Sequence, residues 1–278
     1  VGLQQQTGAV GQLLRSFALI NETPSRARRS SGNLCLHLPL DVRPSVAPLA
    51  VATVTQCQSW PVSPSADSAI SVQCFSAGGQ LIQCCGHGLL AAACSWQQRL
   101  ERDNLWLLMN GSAVFSWREG DITWLRFDTV PTQRQPIPDW AEQILGVSQL
   151  AIASALAGDK LSYLVLQWPD GFDLTKLQRP TAALAEHTQR GLICTAAQPK
   201  WGEKIIHLRY FAPQYGVDED AATGSAMRIL ADYWYPRFDQ LAAYQCSEQG
   251  GWLLSQRTAS HVAVGGHCVS ATSEDAYA

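Results

Sequence analysis

The chain has 278 residues, 46% of them apolar and 15% charged, with 20 Lys and Arg against 23 Asp and Glu. That length exceeds one ordinary hydrophobic core and predicts two domains of a soluble globular protein. The near-even charge balance excludes a basic nucleic-acid-binding stripe, and no apolar run approaches the roughly 18 residues needed to cross a bilayer. Neither nucleic acid nor membrane is expected as a partner.

Val1 to Leu14 carries Gln and Gly where a secretory leader needs a basic end and a long apolar stretch, so a cytoplasmic location is expected. Arg26, Arg28 and Arg29 lie in a Ser-rich stretch that reads as a solvated loop. A strand at Val72 to Phe75 leads through a loop to Cys85-Gly86-His87-Gly88 and a helix from Leu89 to Trp96. Leu105 to Phe127 is a meander: an apolar strand to Met109, the turn pair Asn110-Gly111, an alternating strand Ala113 to Arg118, a Glu-Gly-Asp turn, and Ile122 to Phe127. Pro131, Pro136 and Pro138 mark a domain junction, followed by a short helix with Pro138 at its start and Gly146 beyond its end. Strands follow at Ala151 to Ala157 and Leu161 to Leu166, then a helix from Thr181 to Arg190 stopped by Gly191, and strands at Leu192 to Ala196 and Ile205 to Tyr210.

The second half echoes the first. Val72 to Phe75, then Gly86-His87, then an apolar helix to Trp96 corresponds in order to Leu208 to Phe211, then Thr223-Gly224-Ser225-Ala226, then an apolar helix from Met227 to Trp234. Both helices are apolar on nearly every side, which predicts that each is wrapped by its own sheet. The expected fold is α+β: two pseudo-symmetric halves, residues 1–129 and 130–278, each a barrel-like, mostly antiparallel sheet around a central helix, with a last strand at about 261–270 able to return to the first half.

Gly86-His87 and Gly224-Ser225 then stand at helix N-termini, where unpaired N–H groups and the positive end of the helix dipole favour an anion. Two such ends facing one cleft would hold a carboxylate. The alternative is that Thr223 or Ser225 caps its helix and that His87 is a hydrogen-bonded structural histidine. Nine cysteines at irregular spacings read as reduced thiols, and the absence of Cys-x-x-Cys and His-Glu-x-x-His predicts no metal site. Asp218 and Glu219 read as solvated loop charges, and the ten tryptophans mostly as core, with Trp60 able to line a pocket.

Phe211 to Ala226, with Asp220-Ala221-Ala222-Thr223-Gly224-Ser225 at its centre and Leu230 and Tyr233-Trp234 after it, resembles the signature of the phenazine-biosynthesis PhzF-like family. Gly32-Asn33, Cys85-Gly86-His87, Ser247-Glu248-Gln249-Gly250 and Val262 to Gly266 agree with it in order. The resemblance implies the diaminopimelate-epimerase-like fold, a site between the halves, a homodimer, and cofactor-free isomerisation by proton transfer on a small carboxylated metabolite. The best-known such reaction is that of a dihydro-hydroxyanthranilate. By motif, Asp220, His87 and Ser225 match the pocket, with Gly86, Gly224, Thr223 and Asn33 as further substrate-binding positions.

Two departures bear on activity. The family's proton-shuttling glutamate is matched by Gln58, and no Asp or Glu lies between Asp41 and Asp67. An amide does not titrate near neutral pH, so acid–base work at that position is lost. The sister epimerases carry one cysteine on each loop; Cys85 occupies one place and Ala222 the other, so a two-thiol racemase is not expected and Cys85 reads as a small buried residue. The vicinal pair Cys84-Cys85 offers a redox alternative. The sequence therefore predicts either an isomerase relying on Asp220 and His87, or a non-catalytic binding protein that has kept the pocket.

Overall fold

The computed structural model describes residues 12–18, 31–44, 54–65, 67–76, 78–82, 85–148, 150–159 and 162–271. Arg26, Arg28, Arg29 and Cys84 lie outside the described residues. The chain divides into two compact units, Val1–Phe127 with Gly265–Ala278, and Asp128–Val264.

In the first unit the strands are β1 (Gln12–Ser16), β2 (Asn33–Pro39), β3 (Thr55–Pro61), β4 (Ile70–Phe75), the two-residue β5 (Leu81–Ile82), β6 (Asn104–Met109), β7 (Ser112–Glu119) and β8 (Ile122–Asp128). The order is β1-β2-β3-β4-β6-β7-β8, and the last strand of the chain, β16 (His261–Ser270), lies beside both β8 and β1 and closes an eight-stranded barrel. The β2–β3 and β4–β6 pairs are parallel. Asn110 and Gly111 both take positive φ (51° and 80°), the backbone that a tight hairpin between β6 and β7 requires.

Helix α1 (Gly86–Leu100) packs against β1, β2, β3, β4, β6 and β7, and its residues from Gly88 to Gln97 are all buried. Inward residues of β3 touch it: the Cys57 thiol donates to the Gly88 carbonyl at 3.6 Å, and Ser59 Oγ accepts from the Trp96 indole N–H at 2.6 Å. Ser59 Oγ also shares a hydrogen bond with His37 Nε2 at 2.7 Å, and His37 is wholly buried. The helix stops where Glu101 turns left-handed (φ 52°).

The second unit repeats the pairing scheme. Strands β9 (Thr132–Gln135), β10 (Ala153–Ala157), β11 (Tyr163–Gln167), β12 (Gly191–Ala197), β13 (Ile205–Phe211), β14 (Gln240–Gln245) and β15 (Gly251–Arg257) follow one another in space, and β15 neighbours β16. Here β11–β12 and β13–β14 are the parallel pairs. The crossover from β13 to β14 is helix α4 (Gly224–Trp234), just as α1 links β4 to β6. An outer layer of the short helices α2 (Ala141–Leu145) and α3 (Ala183–His187) and a 3-10 turn (Leu174–Lys176) covers the other sheet face through Leu145, Leu174, Leu184 and Trp168. Strand β12 is consequently buried along its whole length, with Cys194 toward this layer and Thr195 Oγ1 accepting from the Trp234 indole of α4 at 3.3 Å.

The α+β barrel-and-helix architecture is the expected one, with local differences. The helix expected over Thr181 to Arg190 is a single turn, because Thr188 is extended and the Arg190 guanidinium bonds the Ala157 and Tyr163 carbonyls. Leu161, the expected start of β11, lies outside the described residues. Trp106 and Trp201 are exposed instead of core.

Burial lowers the His37 pKa from 6.5 to about 3, aided by the nearby Arg99 charge. Between those values the unfolded chain takes up a proton that the folded chain refuses. Stability from this residue is therefore intact above about pH 6.5 and falls by about 1.4 kcal/mol per pH unit below it. Urea unfolding at pH 7, 5.5 and 4 should show this slope in the native chain and one proton less of it in His37→Gln; equal slopes would contradict the assignment.

Candidate functional site

The first unit builds its site on the opening turn of α1. Cys85 is the N-cap residue, Gly86 and His87 are the first two helical residues, and no side chain caps the N-terminal N–H groups. Asn33, the first residue of β2, places its Nδ2 3.2 Å from His87 Nδ1. With that amide donating, Nδ1 accepts and the neutral ring carries its proton on Nε2, which lies 3.6 Å from Cys85 Sγ. Ser16 Oγ donates to the His87 carbonyl at 2.8 Å and fixes this turn against β1. The structure thus unites Asn33, Cys85, Gly86 and His87.

Cys85 is buried, as expected of a small core residue, and the neighbouring Cys74 thiol and burial push its own thiol well above the usual range, against the opposing pull of His87. A side chain at Gly88 would collide with Cys74 Sγ, so glycine is required where the sulfurs pack.

Gln58 stands apart from this group. Cys57 and Ser59 both face α1, so alternation turns Gln56, Gln58 and Trp60 to the other face of β3. Gln58 is 2% exposed, its Oε1 has no hydrogen-bond partner, and Trp60 is buried beside it. Gln56 is likewise buried with its whole amide unpartnered. Sequence reading passed over Gln56; its adjacent placement on one strand face was the available signal.

In the second unit Thr223 is the N-cap of α4, and Gly224 and Ser225 open the helix. Thr223 does not cap it, contrary to one of the two expectations for this turn: its hydroxyl donates instead to Asp220 Oδ2 at 2.7 Å. The Asp220 carboxylate is thereby held from within its own turn. Gln245, wholly buried at the end of β14, ties the turn together. Its Oε1 accepts from the Thr223 N–H at 2.7 Å, and its Nε2 donates to the Asp220 carbonyl at 2.6 Å and to Thr223 Oγ1 at 3.0 Å. Ser247 Oγ donates to the Ala221 carbonyl at 2.7 Å.

Glu219 corrects a second expectation. Its carboxylate is 3% exposed and accepts a two-pronged bond from Arg209 (2.7 and 2.8 Å), with Arg179 adding a third contact at 3.1 Å. Arg209 also donates to the Leu174 and Leu177 carbonyls and lies over the Phe211 ring. Asp218 is exposed, as expected. A chain segment whose Asp218 and Glu219 both read as solvated is therefore anchored at Glu219, the residue before Asp220. Among the described residues no group of three or more His, Cys, Asp or Glu is arranged to hold a metal ion, and no helix is long and apolar enough to cross a membrane.

Replacing Gln245 by Leu strands the Thr223 N–H and the Asp220 carbonyl in a buried position. It should destabilise the chain by about 2–4 kcal/mol in urea titration, since each unsatisfied buried group costs about 1–3 kcal/mol. A loss below about 0.5 kcal/mol would show that the turn does not depend on this amide.

Residues 61–273 match the family model of phenazine biosynthesis-like proteins, PhzC-PhzF. A Pseudomonas aeruginosa protein named as an uncharacterized isomerase is 33% identical over 66% of this chain and 69% of its own length. The mouse phenazine biosynthesis-like domain-containing protein 1 is 30% identical over 66% of this chain and 70% of its own. The fold matches the crystal structure of a PhzF-family phenazine biosynthesis protein of Enterococcus faecalis with a TM-score of 0.74 at 21% identity, over 94% of this chain and 97% of that one. With the family model spanning most of its length, the chain belongs to the phenazine biosynthesis-like PhzC-PhzF family.

Proposed function

We propose that the chain is a cofactor-independent isomerase that moves a proton on a small carboxylated metabolite, cyclic or amino-acid-like, with Asp220 and His87 as its acid–base residues. The observation that carries this reading is the pair of helix starts. Each has a titratable side chain held by a neighbouring polar group: on α1 the His87 ring by the Asn33 amide, and at the head of α4 the Asp220 carboxylate by the Thr223 hydroxyl, while Gln245 bonds the Asp220 backbone carbonyl. Neither helix start has a side-chain cap, and the N–H donors and positive dipole end of such a turn favour an anion. In this reading the helix starts at Gly86-His87 and at Gly224-Ser225 are each carboxylate-receiving positions. A carboxylate and an imidazole supply one base and one acid without a metal or organic cofactor. A homodimer in the cytoplasm is part of the same reading.

A second reading, a non-catalytic binding protein of the same fold, is favoured by one observation. Gln58 stands where the resemblance places the proton-shuttling carboxylate, and its buried oxygen has no partner. On either reading the dihydro-hydroxyanthranilate isomerisation should be absent or weak, since a positioned acid–base group is worth a factor of about 10² to 10⁴ in rate.

Carbon-bound hydrogen–deuterium exchange in a panel of cyclic amino acids and amino-carboxylates decides between the readings. We expect exchange in the native chain, abolished by Asp220→Asn and reduced at least about 10²-fold by His87→Gln. Exchange absent from the native chain and appearing only in Gln58→Glu would overturn the Asp220–His87 assignment in favour of a degraded site. Gln58→Glu should itself lower stability, because it buries a carboxylate that has no donor at Oε1.

A further inference from the structure

Away from the first turn of α1, two thiols meet that the proposed chemistry does not use. Cys94 lies about two turns along α1 from His87, and Cys268 lies on β16 opposite Ser16 of β1. Ser16 points toward α1, where it bonds the His87 carbonyl, so its cross-strand partner Cys268 points the same way. Cys94 Sγ approaches the Cys268 carbonyl oxygen at 3.9 Å and accepts from Gln98 Nε2 at 3.7 Å. Cys268 is only partly buried, in contrast to every other described cysteine.

The two sulfurs are also unlike each other. A hydrogen bond from the Cys268 thiol holds Cys94 below its usual range, with the Arg118 charge and the Thr123 hydroxyl helping and burial opposing. The same contact, with burial, pushes Cys268 well above its own. An oxidisable pair needs one sulfur favoured as thiolate to attack and a second within reach to resolve.

We propose that Cys94 and Cys268 form an oxidisable pair that hydroperoxides close to a disulfide, tying the central helix of the first unit to the strand that closes its barrel. The Cys94 thiolate attacks one peroxide oxygen, the O–O bond breaks, and the departing hydroxide is protonated to water, leaving a sulfenic acid. Cys268 sulfur then attacks Cys94 Sγ, the S–O bond breaks, and the hydroxyl leaves as a second water with the Cys268 proton. Two thiols lose two electrons and one hydrogen peroxide becomes two waters.

The test is to expose the full chain to hydrogen peroxide, quench in acid, alkylate in denaturant and map the unreduced peptides. The expected result is one linked pair, Cys94–Cys268, reversed by dithiothreitol and accompanied by a rise of several degrees in Tm, as a cross-link over so long a loop should give. Cys94→Ser should leave Cys268 reduced. A different linked pair, a terminal sulfinic acid at Cys94 with Cys268 still free, or no oxidation of either would each overturn the proposal. The map of the native chain decides this even where a variant folds poorly.

Discussion

The burial of two helices, one in each unit, sets the terms for the rest of the molecule. From Gly88 to Gln97 every residue of α1 is buried, and α4 buries Ala226, Met227, Ile229, Leu230, Ala231 and Trp234. Apolar faces this broad must be covered, so each unit packs strands around its own helix, and the Ser225, Arg228 and Asp232 side of α4 stays partly exposed. The strands do so with the same sequence of pairings, a parallel pair on either side of an antiparallel one. The crossovers β4 to β6 and β13 to β14 are then made by the enclosed helices, and enclosure in turn fixes where each helix begins. Gly86-His87 and Gly224-Ser225 stand at those beginnings.

Enclosure also explains why the polar groups near the sites are amides and hydroxyls. Asn33, Ser16, Thr223 and Gln245 each bond a backbone or side-chain group of the opening turns. The Arg209–Glu219 ion pair there is buried: the guanidinium fork holds both carboxylate oxygens and Nη1 donates to two backbone carbonyls. That completeness is what makes burial of both charges tolerable. Its effect on the site is indirect: it fixes the residue before Asp220.

Legibility in the sequence followed chemistry that is local. The meander from β6 to β8 was readable because Asn110-Gly111 and the alternation around it leave one register. Gly146, with φ 62°, stops α2 where a glycine after a helix should. Strands β1 to β3 were not readable, since Gln56, Gln58 and His37 put polar residues at buried positions and erase the alternating signal. Glu219 was misjudged because its partner sits ten residues earlier on β13, and Thr223 because its hydroxyl turns back to Asp220 and is bonded by Gln245, distant in sequence. The resemblance placed Asn33 and His87 in one site, and their contact is among those the structure contains.

The central claim is that the uncapped helix starts receive a carboxylate. Its most direct test is a ¹H–¹⁵N NMR titration of the labelled chain with benzoate and with proline, with benzyl alcohol and pyrrolidine as controls of like shape that lack the carboxylate. The account predicts saturable shifts of the Gly86 and His87 amides, and of the Gly224 and Ser225 amides in the second unit, with the carboxylates alone. Shifts that leave all four amides unmoved, or that the controls reproduce, would contradict it.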